Sequence, residues 1–133
     1  MELEEILVDD QVLDEEIRLW HTKGSRIVFT HHYLARENGT EVGFLSVDIE
    51  PEAEYFVLYK LFVPTHLRKQ GIATRILKAS EELGRRLGYR KVLLHARTLD
   101  GNFPQEDLEA WYFRNGYSIL PNSTGVLTKD IGD

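Results

Sequence analysis

The sequence predicts an α/β fold around a mixed sheet, and three observations predict it. An almost continuous apolar run, 55–63, is followed by an amphipathic helical stripe and then by a second apolar run, 91–96. Two alternating segments, 26–38 and 41–49, flank Asn38-Gly39, a strong hairpin turn signal. The 133 residues are 42% hydrophobic and 29% charged, which suits one folded domain spanning 1–133 with a core of its own.

In chain order, residues 3–9 read as a short strand. The stretch 14–21 reads as a helix, because Ile17, Trp20 and His21 share a face and acids lead it. The hairpin 26–49 follows, then a connection at Pro51-Glu52-Ala53-Glu54. The run YFVLYKLFV at 55–63 has the pattern of a central strand covered on both faces. After Gly71, Ile72, Ile76, Leu83 and Leu87 form a stripe of helical period that Gly88 closes. Residues 91–96 form a further buried strand, so 55–96 is expected to be a parallel, right-handed strand–helix–strand unit. A loop at 98–106 leads to a helix at 107–116 with Leu108, Trp111 and Tyr112 on one face. Strands at 117–120 and 125–129 end the chain as a hairpin.

Composition excludes several classes. With no cysteine there is neither a disulfide framework nor a thiolate metal site, and no metal is expected. His31 and His32 are adjacent on a strand, point to opposite faces and cannot chelate one ion together. No apolar run approaches the roughly 20 residues of a membrane span, and the acidic start MELEEILVDD is unlike a signal peptide. A cytoplasmic location is therefore expected. The net charge of −6 disfavours nucleic acid as the main partner. Positive charge is nevertheless concentrated: from Lys60 to Lys91 nine Lys/Arg stand against Glu81 and Glu82, whereas the remainder holds seven Lys/Arg against twenty Asp/Glu.

Inside that basic segment lies HLRKQGIATRIL, 66–77. A helix begins here without the Ser, Thr, Asp or Asn cap and without the acidic first turn that helices favour. A helix N-terminus with unmet N–H groups is an anion site. Gly71 lets backbone approach a ligand, Ala73 is small, and Arg68 and Lys69 add charge. A phosphate would supply the missing cap. Pro64, just after the central strand, weakens pairing there and is expected to open a slot beside the strand's C-terminal end. Neither Gly-x-x-x-x-Gly-Lys-Ser/Thr nor Gly-x-Gly-x-x-Gly occurs, so the common nucleotide loops do not apply.

The stretch LFVPTHLRKQGIATRIL resembles the acetyl-CoA signature of the GNAT N-acetyltransferases: Arg68-Lys69-Gln70-Gly71-Ile72-Ala73 match its Arg/Gln-x-x-Gly-x-Gly/Ala. Trp111-Tyr112-Phe113-Arg114-Asn115-Gly116-Tyr117 resembles the family's later Leu-Tyr-x-x-x-Gly-Phe segment. The resemblance covers about 26–129. It implies a GNAT-like, mostly antiparallel sheet of six or seven strands flanked by helices, with the parallel unit at its core. It also implies transfer of an acetyl group from acetyl-CoA to a primary amine of a small molecule, protein or peptide. Backbone groups of Leu61, Phe62 and Val63 would pair with the pantetheine arm and polarise the acetyl carbonyl. The N–H groups from Arg68 through Lys69, Gln70, Gly71 and Ile72 to Ala73 would hold the pyrophosphate, with the Thr74 hydroxyl beside them. Tyr112 would protonate the departing thiolate. That chemistry is consistent: an amine with a pKa near 10 must lose a proton before attack, and a phenol can donate one to the leaving group.

Where the family often carries a Glu or His on the central strand as base, this chain has Val57, Tyr59 and Lys60; Tyr59, His95 or a carboxylate from another element are the candidates. Gln105 stands where the later segment often has Asn. His95 reads as a core histidine, His66 as a surface one and Trp20 as packing. One helix is expected before residue 26 where the family has two, which leaves the acceptor site open or closed by a homodimer. Glu50, Glu52, Glu54 and Asp100 are candidates to line its mouth and attract a cationic amine. The alternative is a non-catalytic acyl-CoA-binding or regulatory module of the same fold.

Overall fold

The computed structural model describes residues 1–24, 29–98 and 103–132. Its elements are β1 (Glu2–Glu5), a 3-10 turn at Asp9–Gln11, α1 (Glu15–Lys23), β2 (Thr30–Glu37), β3 (Thr40–Asp48) and β4 (Tyr55–Phe62). A 3-10 turn at Thr65–Leu67, α2 (Ile72–Arg86), β5 (Lys91–His95), α3 (Gln105–Arg114), β6 (Ser118–Ile119) and β7 (Val126–Asp130) follow. The seven strands form one sheet in the order β1-β2-β3-β4-β5-β7-β6. Every neighbouring pair is antiparallel except β4 and β5, which are parallel across the α2 crossover. The expected mixed sheet with its parallel core is thus the observed one. Residues 26–28 of the expected second strand lie outside the described residues.

Local chemistry sets the ends. Asp14 caps α1 by accepting the Ile17 N–H at 3.0 Å. Asn38 and Gly39 both take positive φ, the conformation a two-residue hairpin turn requires. The first strand is shorter than the sequence suggests, because the chain tightens into the 3-10 turn after Val8.

The helices cover the sheet unequally. Ile72, Ile76 and Leu77 of α2 pack with Leu45, Val47, Phe56, Leu58, Val92 and Leu94, and Tyr112 of α3 belongs to the same cluster. On the opposite face α1 sets Ile17 against Leu34, Phe44 and Phe62, with Trp20 beside them. Among the described residues α1 is the one α-helix between β1 and β2. Tyr55, Tyr59 and His95, on the strands beyond it, are exposed. Leu87, expected on the buried stripe of α2, is its C-cap and is exposed; Gly84 and Glu81 take the inward positions of the last turns.

Helix α2 and the sheet approach closely at Gly43 on β3. A Cβ there would lie 2.2 Å from Ile76 Cδ1 and 2.8 Å from the Phe62 carbonyl oxygen, and the second of these is backbone and cannot swing aside. Gly43→Ala is expected to destabilise the fold by about 1–3 kcal/mol through overpacking, read as a lower midpoint in urea with an unchanged slope.

Candidate active site

The site begins with an early end to strand pairing. The β4–β5 ladder runs Tyr55↔Lys91, Phe56↔Val92, Val57↔Leu93 and stops, although β4 continues to Phe62. On its other side β4 stays paired with β3 as far as Phe44↔Phe62. The strands therefore fork, and the β5-facing backbone edge of β4 is open from Leu58 onward. The cause differs from the expected one. Pro64 lies beyond the strand, whereas a bulge between Ser46↔Lys60 and Val47↔Leu58 leaves Tyr59 as an extra residue in β4. A bulge bends its strand and shifts its alternation. Phe56 and Leu58 before it and Val63 after it face α2, while Phe62 faces α1. Leu61, Phe62 and Val63 thus lie along the open edge.

Past that edge the chain turns into α2 through two left-handed residues, Lys69 at φ 65° and Gly71 at φ 76°. Gly71 is the N-cap and makes no side-chain cap. Alternation of this kind turns successive N–H groups to one side, and the dipole of a 15-residue helix adds positive potential there. The sequence's unanswered cap is therefore a real feature of the fold. Arg68 acts within the loop: its Nε donates to the Val63 carbonyl at 3.1 Å and its guanidinium lies over the Phe62 ring. The rest of the basic segment is divided. Arg75 pairs with Glu37, and Arg85 and Arg86 pair with Glu82, so the positive charge at the loop rests on Lys69, Arg68 and the helix end. From the α1 side, Glu16 accepts the Thr65 N–H and hydroxyl and fixes the first turn after β4.

Helix α3 is tied to the same place. The Trp111 indole N–H donates to the Thr74 hydroxyl at 3.2 Å, which sets α3 against the first turn of α2. Gln105, in the Asn position, donates to the Ala96 carbonyl at 2.5 Å and anchors the start of α3 to the end of β5. Tyr112 is buried between Trp111 and Tyr117, with ring centroids 4.8 and 5.4 Å away. Burial pushes its phenol well above the ordinary tyrosine value. Behind it lies a polar group the sequence reading missed. Glu81, 3% exposed, accepts from Lys129 Nζ at 3.0 Å and from the Tyr117 hydroxyl at 2.9 Å, and Lys129 also donates to the Asn115 carbonyl. Burial and the Glu81 carboxylate push the Tyr117 phenol up as well.

The face opposite α2 holds the other candidates. His95, expected in the core, is exposed at the last residue of β5, because residues 92 and 94 take the buried side of that strand. Tyr59 and His95 lie two residues beyond the last paired rung on β4 and β5, so both stand at the fork. Trp20 packs on Phe62 at 5.5 Å, with Lys60 Nζ 5.4 Å from its ring. His66 is on the surface. Asp100, a candidate for the mouth, lies outside the described residues. No described helix is long and apolar enough to cross a membrane.

A family model for the acetyltransferase (GNAT) family matches residues 2–117. The fold is similar to a GNAT family acetyltransferase from Elizabethkingia anophelis with acetyl-CoA bound (16% identity, 97% of each chain, TM-score 0.63). It is also similar to an aminoglycoside 6'-N-acetyltransferase complexed with coenzyme A (19% identity, 98% of this chain and 97% of that one, TM-score 0.66). A third likeness is to a putative acyl-CoA N-acyltransferase from Klebsiella pneumoniae (16% identity, 98% and 97%, TM-score 0.67). Among curated proteins none matches significantly.

The Glu81 group can be tested without any ligand. Glu81→Ala leaves the Lys129 ammonium and Tyr117 hydroxyl without their acceptor at the seam of α2, α3 and β7. Lys129 keeps some solvent access, its side chain being 26% exposed. The expected loss is about 2–3 kcal/mol, below the range for a fully buried pair, measured by chemical denaturation; a loss under about 0.5 kcal/mol would class the pair as a surface one.

Proposed function

Because the chain belongs to the GNAT acetyltransferase family, we propose that it transfers the acetyl group of acetyl-CoA directly to a primary amine. The observation that carries this reading is the conjunction of the β4–β5 fork with an α2 start that has no cap of its own. The fork offers an extended backbone edge to a pantetheine arm, and the helix start offers N–H groups to a pyrophosphate at its end. In this reading Leu61, Phe62 and Val63 bind the arm and polarise the acetyl carbonyl, the Arg68–Ala73 loop holds the phosphates, and the Thr74 hydroxyl lies beside them.

The proton steps fall to two residues. His95, at the rim of the fork on the face away from α2, takes the proton the attacking amine must lose. The amine nitrogen then bonds to the carbonyl carbon and gives up its second proton to solvent, the C–S bond breaks, and Tyr112 gives its proton to the sulfur. Solvent restores the phenol, and one proton is released overall for each ammonium acetylated. Burial supports the Tyr112 role in one respect: a phenol with a raised pKa keeps its proton at every physiological pH. Its desolvated surroundings also disfavour a naked thiolate, so the proton is wanted there. The absence of a carboxylate among Val57, Tyr59 and Lys60 is the feature that favours the alternative, an acyl-CoA-binding module without turnover.

Tyr112→Phe keeps the ring packing and removes the proton. The turnover number should fall by roughly 10²- to 10⁴-fold with acetyl-CoA affinity little changed; unchanged turnover, with chemistry limiting, returns Tyr112 to the core. The pH profile is a second check. Loss of the Tyr112 proton would stop the acid step, and since its pKa is raised, kcat should show no decline from this group up to the ordinary phenol value of about 10. A fall beginning near pH 9 that vanishes in Tyr112→Phe would contradict the burial argument.

A further inference from the structure

We infer that this protein's acceptor is an extended polycationic amine, whose second positive charge is held in a recess at the foot of β4. The inference rests on the transferase reading above and names the substrate class for it. A cavity of about 140 Å³ lies on the face away from α2, lined by Phe29, Asp48, Glu50, Tyr55 and Val57. Two aromatic rings and two carboxylates around an apolar floor form a site for an organic cation: the rings attract it through their π faces and the carboxylates through charge. The recess is built. Asp48 is oriented by the Thr30 hydroxyl, which donates to its Oδ1 at 2.5 Å. The connection that carries Glu50 is pinned by the Tyr89 hydroxyl, which donates to the Glu50 carbonyl at 2.7 Å. Among the described residues neither carboxylate forms an ion pair with a Lys or Arg. Lys91, level with Tyr55 on β5, stands opposite Asp130 of β7.

Position makes the recess part of the acceptor path. Asp48 is the cross-strand partner of Val57, on the last rung before the fork. From Val57 to Leu61, where the acetyl carbonyl would be held, β4 advances roughly 13 Å at about 3.3 Å per residue, and the bulge shortens this to roughly 10–13 Å. An extended chain covers about 3.5 Å in three bonds, so the matching spacer between two amines is roughly eight to ten carbons. The distal ammonium stays protonated between the rings while the near amine, deprotonated, reaches the thioester. Among the described residues α1 is the one α-helix before β2, and none of its residues lines the recess.

A series of α,ω-diaminoalkanes from four to twelve carbons, each paired with the monoamine of the same length, tests this at saturating acetyl-CoA. The ratio of kcat/KM for diamine over monoamine should peak at eight to ten carbons at roughly tenfold or more, and Asp48→Asn/Glu50→Gln or Tyr55→Leu should bring it toward one. The wild-type ratio needs no variant to be informative: acetylation of both amines with a ratio near one at every length overturns the subsite and leaves the transferase reading intact. If no amine is acetylated, the transferase reading fails, and calorimetry of 1,8-diaminooctane with the protein–CoA complex decides the subsite. Binding lost in Asp48→Asn/Glu50→Gln upholds it; no binding, or binding indifferent to those changes, overturns it.

Discussion

The parallel ladder between β4 and β5 ends at Val57–Leu93, and everything at the site follows from what that interruption leaves unmet. Backbone N–H and C=O groups inside a sheet need partners, and each one left dry without a partner costs about 1–3 kcal/mol. Along β4 beyond Val57, β5 no longer supplies them. The fold holds the gap open by a bulge at Tyr59, by continued pairing of β4 with β3, and by α2 seated tightly over Gly43. In the proposed function an extended ligand that presents amide groups would complete the sheet in place of a strand.

The helix start adds a second unmet demand at the mouth of the same gap. Lys69 and Gly71 adopt left-handed conformations, which costs a non-glycine residue of order 1–3 kcal/mol, and they leave the first turn of α2 without a protein cap. The surroundings are firmly determined: Arg68 bonds back to Val63, Glu16 fixes Thr65, and Trp111 bonds to Thr74. The same indole brings α3, and with it Tyr112, to the first turn of α2. The Glu81–Lys129–Tyr117 group then ties α3 and β7 to the far half of α2, so Tyr112 and the start of α2 are held by one connected set of contacts.

Much of this was legible in the sequence because it is local. The strand–helix–strand unit is written in the period of 55–96, the hairpin in Asn38-Gly39, and the uncapped helix in the residues before Ile72. What failed was non-local. The bulge depends on how β4 registers against β3, and no residue in 55–63 announces it, so the fork was assigned to Pro64. His95 reads as buried if 91–96 is taken as one apolar run, yet Val92, Leu94 and Ala96 share the buried parity, and Lys91 and His95 fall on the other and are exposed. Glu81 looks like its neighbour Glu82, a surface acid; its burial depends on Lys129, 48 residues away. Leu87 fits the stripe by count, but the helix ends at Arg86 and Tyr89 fills the core in its place.

The central claim is that a ligand's pyrophosphate supplies the cap that α2 lacks, and amide resonances at the helix start report it most directly. Nitrogen–proton spectra of the labelled protein would be compared free, with CoA and with pantetheine, which has the same arm and no pyrophosphate. The account predicts that CoA shifts the Gly71, Ile72 and Ala73 amide protons downfield and slows their exchange, while pantetheine shifts Leu61 to Val63 and leaves those three in place. Amides of Gly71 to Ala73 that are indifferent to saturating CoA, or that respond equally to pantetheine, would contradict it.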